Sequence, residues 1–361
     1  MLGTIADGFG VSTSTAGLLV TATQIGYAVG MFFLVPLGDI INRKRMIPAF
    51  MLLAAVMLAV SAFAPTFPVL LIALTIVGAS TVSGQLLAPL AGDIAADDQR
   101  GRVLGTVASG ILLGVMIARA ISGIVTDLIG WRALYLGVAI VMLALAIVTH
   151  RSLPALPPRP RVAYGSLLRS VLRTYALSAT ARWVGLIGAA AMATFTLFWT
   201  GLTLLLIEEP FALSATQIGL INLIGIFGAA AALRVGRLYD RGLAVPAIGA
   251  GLALAIVGFV VAGLGASSLA AIIVAIAIYS IGIQSVMVLT QTRMLSVDPA
   301  SRSRLNTVFV VGNFIGGSIG SALASLLWDL GGWTTIMITA TGILALALLI
   351  WTAERQRTLA T

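Results

Sequence analysis

Long apolar runs of similar length alternate with short polar breaks along this chain. Residues 15–38, 46–64, 68–91, 103–125, 131–149, 183–207, 216–235, 244–264, 268–290, 305–328 and 333–351 are each predominantly apolar. A helix of about 20 such residues crosses a bilayer core of roughly 30 Å. The pattern therefore predicts eleven transmembrane helices.

The breaks between the runs differ in sign. The first ends an apolar run at Asp39 and continues with Arg43, Lys44 and Arg45. Lys and Arg resist translocation, so a tight cationic turn between two spans is expected on the cytoplasmic side. Alternation then places loops 92–102, 150–182, 234–243, 291–304 and the C-terminus on that side too. Together with the loop at 39–45 they hold 19 of the 21 Lys and Arg residues. The opposite side holds Asp7, Asp127, Glu208, Glu209, Asp329 and the cation Arg132. Five of the six tryptophans fall at span ends, as an aromatic belt at the bilayer interface requires.

The chain also repeats itself. An offset of 202 superimposes Phe9 on Phe211, Ser12 on Ser214, Gly17 on Gly219, Arg102 on Arg304, Gly110 on Gly312, Asp127 on Asp329 and Trp131 on Trp333. Two copies in one orientation imply two helical bundles related by an axis along the membrane normal. The expected division is residues 1–149 with five spans, a cytoplasmic linker at 150–182, and residues 183–361 with six. Span 183–207 has its counterpart at positions before residue 5, so a further helix is expected upstream of Met1, the alternative being an eleven-span variant. The linker opens with Pro154, Pro157, Pro158 and Pro160. Leu167, Leu168, Val171, Leu172 and Tyr175 then share one helical face beside Arg169 and Arg173, the pattern of a short helix lying in the inner interface.

Composition narrows the function. With 60% hydrophobic and 9% charged residues the chain lacks the polar surface of a soluble globule. The net charge of +9 marks the inner leaflet, and no nucleic-acid partner is expected. There is no cysteine, and the single histidine, His150, has no ligand cluster, so no metal site is expected. Neither a phosphate-cradling glycine loop followed by Lys nor a nucleophile with a base is present, and no enzyme or cofactor is expected.

The stretch Val35-Pro-Leu-Gly-Asp-Ile-Ile-Asn-Arg-Lys-Arg45 resembles the signature loop of the major facilitator superfamily, roughly Gly-x-Leu-Ala-Asp-Arg-x-Gly-Arg-Arg. Leu37, Asp39, Arg43 and Lys44 match it, whereas Val35, Ile40 and Asn42 stand where the family prefers Gly, Arg and Gly. Asn tolerates the left-handed backbone that Gly supplies in such a turn, so that conformation is expected at Asn42. Gln85-Leu-Leu-Ala-Pro-Leu-Ala-Gly-Asp93 and Gly130-Trp-Arg132 are similar to blocks of the bacterial drug and sugar efflux branch. The resemblance covers nearly the whole chain. It implies an all-α membrane protein of the bacterial inner (plasma) membrane, built as two pseudo-symmetric bundles. Its expected function is secondary transport by alternating access, exporting a small organic molecule, drug or sugar-like, in exchange for protons. A proton-coupled uptake symporter and a transport-inactive scaffold or sensor are the alternatives. The expected partners are the lipid bilayer, the substrate and protons, with the protein a monomer.

The same resemblance assigns roles to residues. Asp39 would approach the N-terminus of the span beginning near Leu305, and Arg43, beside Lys44, would pair with Asp93, latching the inner side. Small residues recur every fourth position at Thr106, Gly110, Gly114, Ala118 and Ser122, and again at Gly312, Gly316, Gly320 and Ala324. Such stripes let helices approach backbone to backbone, and by resemblance they form the seam between bundles. The family's antiporter signature is half present: Gly110 and Gly114 match, while Val115, Ala118 and Arg119 replace the Pro and both later glycines. Ser83, Gln85, Phe195, Trp199, Tyr279, Gln284 and Gln291, with Gln24 and Tyr27, are candidate cavity residues, amides facing aromatics. Each is equally suited to an interhelical hydrogen bond. Arg119 stands well inside a span and needs a partner: either an anionic group in the cavity or, by snorkelling, Asp127 or water. No acidic residue lies mid-span, so a proton site is expected in the upstream helix.

Overall fold

The computed structural model describes residues 1–96, 99–154, 164–298 and 301–356; the side chains of some helical residues, among them Asp39, Asp93 and Arg119, lie outside the description. Among the described residues all regular structure is helical. α1 (Leu2–Phe9) leads into α2 (Thr13–Val29), which runs on through a π turn at Gly30–Leu34 and a 3-10 turn at Pro36–Asp39. α3 (Arg43–Ala62), α4 (Phe67–Ser80), α5 (Ser83–Ile94), α6 (Arg100–Ile129) and α7 (Trp131–Ser152) follow. After α8 (Tyr164–Leu177) come α9 (Ala179–Ile207), α10 (Ala215–Asn222), a 3-10 turn at Leu223–Gly225, α11 (Ile226–Asp240), α12 (Ala244–Leu264), α13 (Leu269–Ser296) and α14 (Arg302–Glu354). Nine stretches of described residues are long and apolar enough to span a membrane, the last of them Arg304–Glu354. α14 is in fact two helices, broken at Gly331 and Gly332.

The internal repeat is visible in the helix ends. α2 and α10 begin at Thr13 and Ala215, α4 and α13 at Phe67 and Leu269, and α6 and α14 at Arg100 and Arg302, each pair in the register of the sequence repeat. The reversals at Gly130 (φ 85°) and Gly332 (φ 62°) match as well, and both need the positive φ that glycine adopts without a side-chain clash. Ser12 and Ser214 cap the matching helices, accepting hydrogen bonds from the amides of Thr15 (3.0 Å) and Gln217 (3.3 Å). At Ser214 the Gln217 side chain returns a bond to the cap amide (2.9 Å), completing a reciprocal box. Ser214→Ala is expected to cost about 1 kcal/mol of stability, read as a lower melting temperature in detergent.

The copies are not identical. α4 and α5 part at Thr81, where the hydroxyls of Ser80 and Thr81 bond back to the carbonyls of Val77 (3.0 Å) and Gly78 (2.9 Å). The matching α13 runs unbroken. Asn42 departs from expectation: its backbone is extended (φ −62°, ψ 112°) rather than left-handed. Its side chain caps α3 by accepting from the Lys44 amide (2.9 Å), a task an Asn performs and the family's Gly does not.

One buried apolar cluster is drawn entirely from α8 to α14, and the two others from α1 to α7 with Leu153. Within the larger cluster α9 packs on α14 and α12 on α13; in the first copy α3 packs on α7 and α2 on α4. Large apolar side chains such as Leu128, Leu264, Leu330 and Ile338 point outward, an exterior suited to lipid rather than water. The linker forms α8 as its periodicity predicts. Tyr164 donates to the Phe33 carbonyl (2.6 Å), and the Tyr175 ring lies against Gly185. Leu167, Leu168 and Val171 have side chains outside the description, while Arg169 and Arg173 are exposed.

Candidate functional site

Two adjoining cavities lie between the copies. One, of about 220 Å³, is lined by Val115, Phe195, Trp199, Asn222, Ser280 and Gln284, among others. The second, of about 250 Å³, is lined by Val20, Gln24, Phe195, Thr196, Trp199 and Asn222, among others. Phe195, Trp199 and Asn222 belong to both, so these three form the ridge between them. A third cavity, of about 460 Å³, reaches Asn222 from the side of Leu19, Ser122, Gly123 and Thr203.

The aromatic wall is held from behind. Phe195 and Trp199 meet edge to face with centroids 6.2 Å apart, and Phe198 supports Trp199 at 5.7 Å. Behind Phe198 lie Tyr279 (4.6 Å) and, stacked on Tyr279, Phe259 (4.6 Å). The Thr196 hydroxyl donates to the Gly317 carbonyl (2.7 Å), and Gly320 brings α14 against the Ala193 carbonyl, fixing α9 to α14. Asn222 stands where α10 gives way to the 3-10 turn, so its side chain sits at a break in the helix rather than on a regular face.

The structure thus brings Gln24, Phe195, Trp199 and Gln284 of the sequence candidates to the cavities. The other candidates with described side chains make the following contacts. Tyr279 is fully buried among aromatics in the core of the second copy. Tyr27 stacks on Phe314 (4.0 Å) across the two copies and accepts from Gln85 (3.0 Å). Gln291 contacts Asn306 (3.4 Å) at the cation-rich end, and Ser83 is buried at the start of α5. Sequence reading passed over Asn222, although an amide deep within the apolar stretch 216–235 was a usable signal. It also passed over Ser280 and Thr196, whose hydroxyls do not stand out in an apolar span.

The small-residue stripes meet different partners from those expected. Among the described residues nothing lies within 4 Å of a methyl group built at Gly110, Gly114 or Gly312. Gly316 and Gly320 press on the backbone of α9, Gly26 and Gly78 bring α2 and α4 together, and Gly228 faces α13. The closest approaches are thus mostly within a copy. Four described glycines meet the other copy: Gly123 of α6 against the Ala215 carbonyl of α10, Gly17 of α2 against Ser325 of α14, Gly3 of α1 against Ile207 of α9, and Gly317 of α14 against Gln24 of α2. The contacts of Gly17 and Gly123 lie away from the cation-rich end.

At the end away from the cations the Asp127 carboxylate accepts hydrogen bonds from the amides of Ala215 (3.2 Å) and Thr216 (2.7 Å) at the start of α10. Hydrogen bonding, first from the Thr216 hydroxyl, holds its carboxyl below the usual range. Ser14 donates to Asp329 (3.1 Å) at the start of α2. Toward the cation-rich end, by contrast, Gly110 and Gly114 of α6 are exposed. There Arg43 donates to the Gly38 carbonyl (3.1 Å) of its own loop. The side chains of Asp39, Asp93 and Arg119 lie outside the described residues, and so do the latch and the Arg119 pairing expected of them.

A helical shell with an apolar exterior and a cavity between two repeated halves defines a polytopic transporter. The sequence profile of the Major Facilitator Superfamily matches residues 1–301 and 184–360, and the chain belongs to that superfamily. It is a membrane transporter and not an enzyme. It is 34% identical over 351 residues to the uncharacterized transporter YgaY of Escherichia coli O157:H7, covering 97% of this chain and 89% of the relative. It is 24% identical over 355 residues to a probable sugar efflux transporter of Helicobacter pylori (strain G27), covering 96% and 88%. Among solved structures, the fold is shared with a bacterial homolog of the human lysosomal transporter Spinster in an inward-facing, unoccupied conformation. That match has a TM-score of 0.77 and 15% identity, covering 98% of this chain and 92% of the other.

Proposed function

We propose that this chain is a proton-coupled exporter of a small organic molecule in the bacterial inner membrane, with the cation-rich loops and the C-terminus in the cytoplasm. Two bundles, residues 1–149 and 183–361 joined by the linker 150–182, rock against each other about the central cavities. The observation behind this reading is the cavity pair itself. Gln24 reaches it from the first copy and Phe195, Trp199, Asn222 and Gln284 from the second, and the seam of α2 on α14, from Gly17 against Ser325 to Tyr27 on Phe314, runs beside it. An aromatic ridge flanked by amides suits a solute with an apolar ring or face and a few hydrogen-bonding groups. The efflux direction is supported by the Helicobacter pylori relative's name.

Cells expressing the chain should accumulate less of at least one solute in a panel of aromatic drugs and sugars than cells with an empty vector. A protonophore should abolish that difference. Raised accumulation would establish uptake instead, and equal accumulation across the panel would favour a scaffold or sensor.

A further inference from the structure

Sequence repetition and hydrogen bonding coincide at one place that the cavity does not involve. Asp127 ends α6 and Asp329 ends the first arm of α14, and the two are equivalent in the internal repeat. Their partners are equivalent too. Thr216, whose amide binds Asp127 at 2.7 Å, is the repeat counterpart of Ser14, whose hydroxyl binds Asp329 at 3.1 Å. Both bonds cross from one copy to the other, in opposite directions. We infer that Asp127 and Asp329 form a twofold clasp that holds the molecule shut at the end opposite the cation-rich loops, and that both must release before a solute can leave there.

Three observations support the clasp. Each carboxylate meets the first turn of a helix, where amides lack intrahelical acceptors and an anion is favoured. Beneath each carboxylate the helices meet: Gly123, one turn before Asp127, abuts the Ala215 carbonyl, and the Ser325 hydroxyl, one turn before Asp329, abuts Gly17. Gly123 and Ser325 are again repeat counterparts. Finally, among the described residues nothing comes within 4 Å of a methyl group built at Gly110 or Gly114 farther along α6, in contrast to Gly123 at this end. The two halves of the clasp are unequal. Asp127 takes two backbone amides, which no side-chain substitution can remove, whereas Asp329 depends on one serine hydroxyl. Loss of Asp127 should therefore loosen this end more than loss of Asp329.

The chain has no cysteine, so Thr203→Cys, on the wall of the 460 Å³ cavity, introduces a sole thiol. Its rate of reaction with a membrane-impermeant maleimide is to be measured in right-side-out and in inverted vesicles, with and without Asp127→Ala, Asp329→Ala and both. In right-side-out vesicles the double variant should label about tenfold faster, the factor that 1.4 kcal/mol makes in an equilibrium. Asp127→Ala should give most of that increase. Gly123→Leu, which disturbs the same contact without touching a carboxylate, should accelerate labelling as well. Unchanged rates in both vesicle types for the double variant would overturn the clasp. The inference takes its sidedness from the proposed orientation, and an acceleration confined to inverted vesicles would reverse that orientation while the clasp stands. If the alanine variants do not reach the membrane, Asp127→Asn and Asp329→Asn give the same comparison, since each keeps the shape and removes the charge.

Discussion

Gly26→Leu and Gly78→Leu should leave little folded protein. A methyl group at Gly26 would run into the Thr75 carbonyl, and one at Gly78 into the Thr23 carbonyl, so the obstacle at both positions is backbone. A flexible side chain could swing aside, but a helix carbonyl moves only with its helix, and α2 packs on α4 along this line. Overpacking in a well-packed core costs about 1–3 kcal/mol, and separating two helices lies at or beyond the upper end of that range. Gly110→Leu is the control, because its surroundings are open. Size-exclusion chromatography of detergent-extracted protein should show aggregate for the first two variants and a single sharp peak for Gly110→Leu. A sharp peak with unchanged melting temperature for Gly26→Leu would refute the packing account.

Trp199→Ala should reduce transport about tenfold or more, while Tyr279→Phe leaves it unchanged. Trp199 forms the ridge shared by both central cavities, and a solute ring resting on it loses that face when the indole is removed. An aromatic pair is worth about 0.5–1.5 kcal/mol beyond its buried area, and the lost area adds to this. Trp199→Phe keeps a ring in place and should restore most of the activity, which separates a lost contact from a lost fold. Tyr279 lies behind Phe198, and the Phe variant preserves the stack with Phe259. Its effect on stability should stay within about 1.5 kcal/mol. Transport assays on these three variants, alongside their melting temperatures, test the assignment; equal losses for Trp199→Ala and Tyr279→Phe would contradict it.

The helical class and the register of the repeat were legible in the chain because they depend on periodicities that local chemistry enforces, whereas the breaks inside the expected spans 68–91 and 216–235 were not. Gly130 and Gly332, and Ser12 and Ser214, show this most directly: residues aligned by the repeat occupy the same turns and caps. Which side of each helix faces the cavity was less legible. These spans are apolar on every side, so no polar stripe gives their rotation about the helix axis. Hence Phe195 and Trp199 stand beside Tyr279 among the candidates, although Tyr279 packs against Phe198 and Phe259 behind the wall those two form. The stripes of small residues announced close approach without naming the neighbour: Gly316 and Gly320 pack on α9 of their own copy, while Gly110, Gly114 and Gly312 have open surroundings. The amide of Asn222 stands out in its apolar run, but its place in the cavity wall comes from the break at Leu223–Gly225, which the run does not signal.

The bond from Thr196 to the Gly317 carbonyl sits in the cavity wall, and the Gly320 contact lies beside it. Under a rocking motion these two helices travel as one plate. The solute then keeps the same template on that side whichever way the vestibule opens, and only the opposing wall withdraws. Discrimination between similar molecules would be written on the plate, and the speed of release on the wall that leaves it.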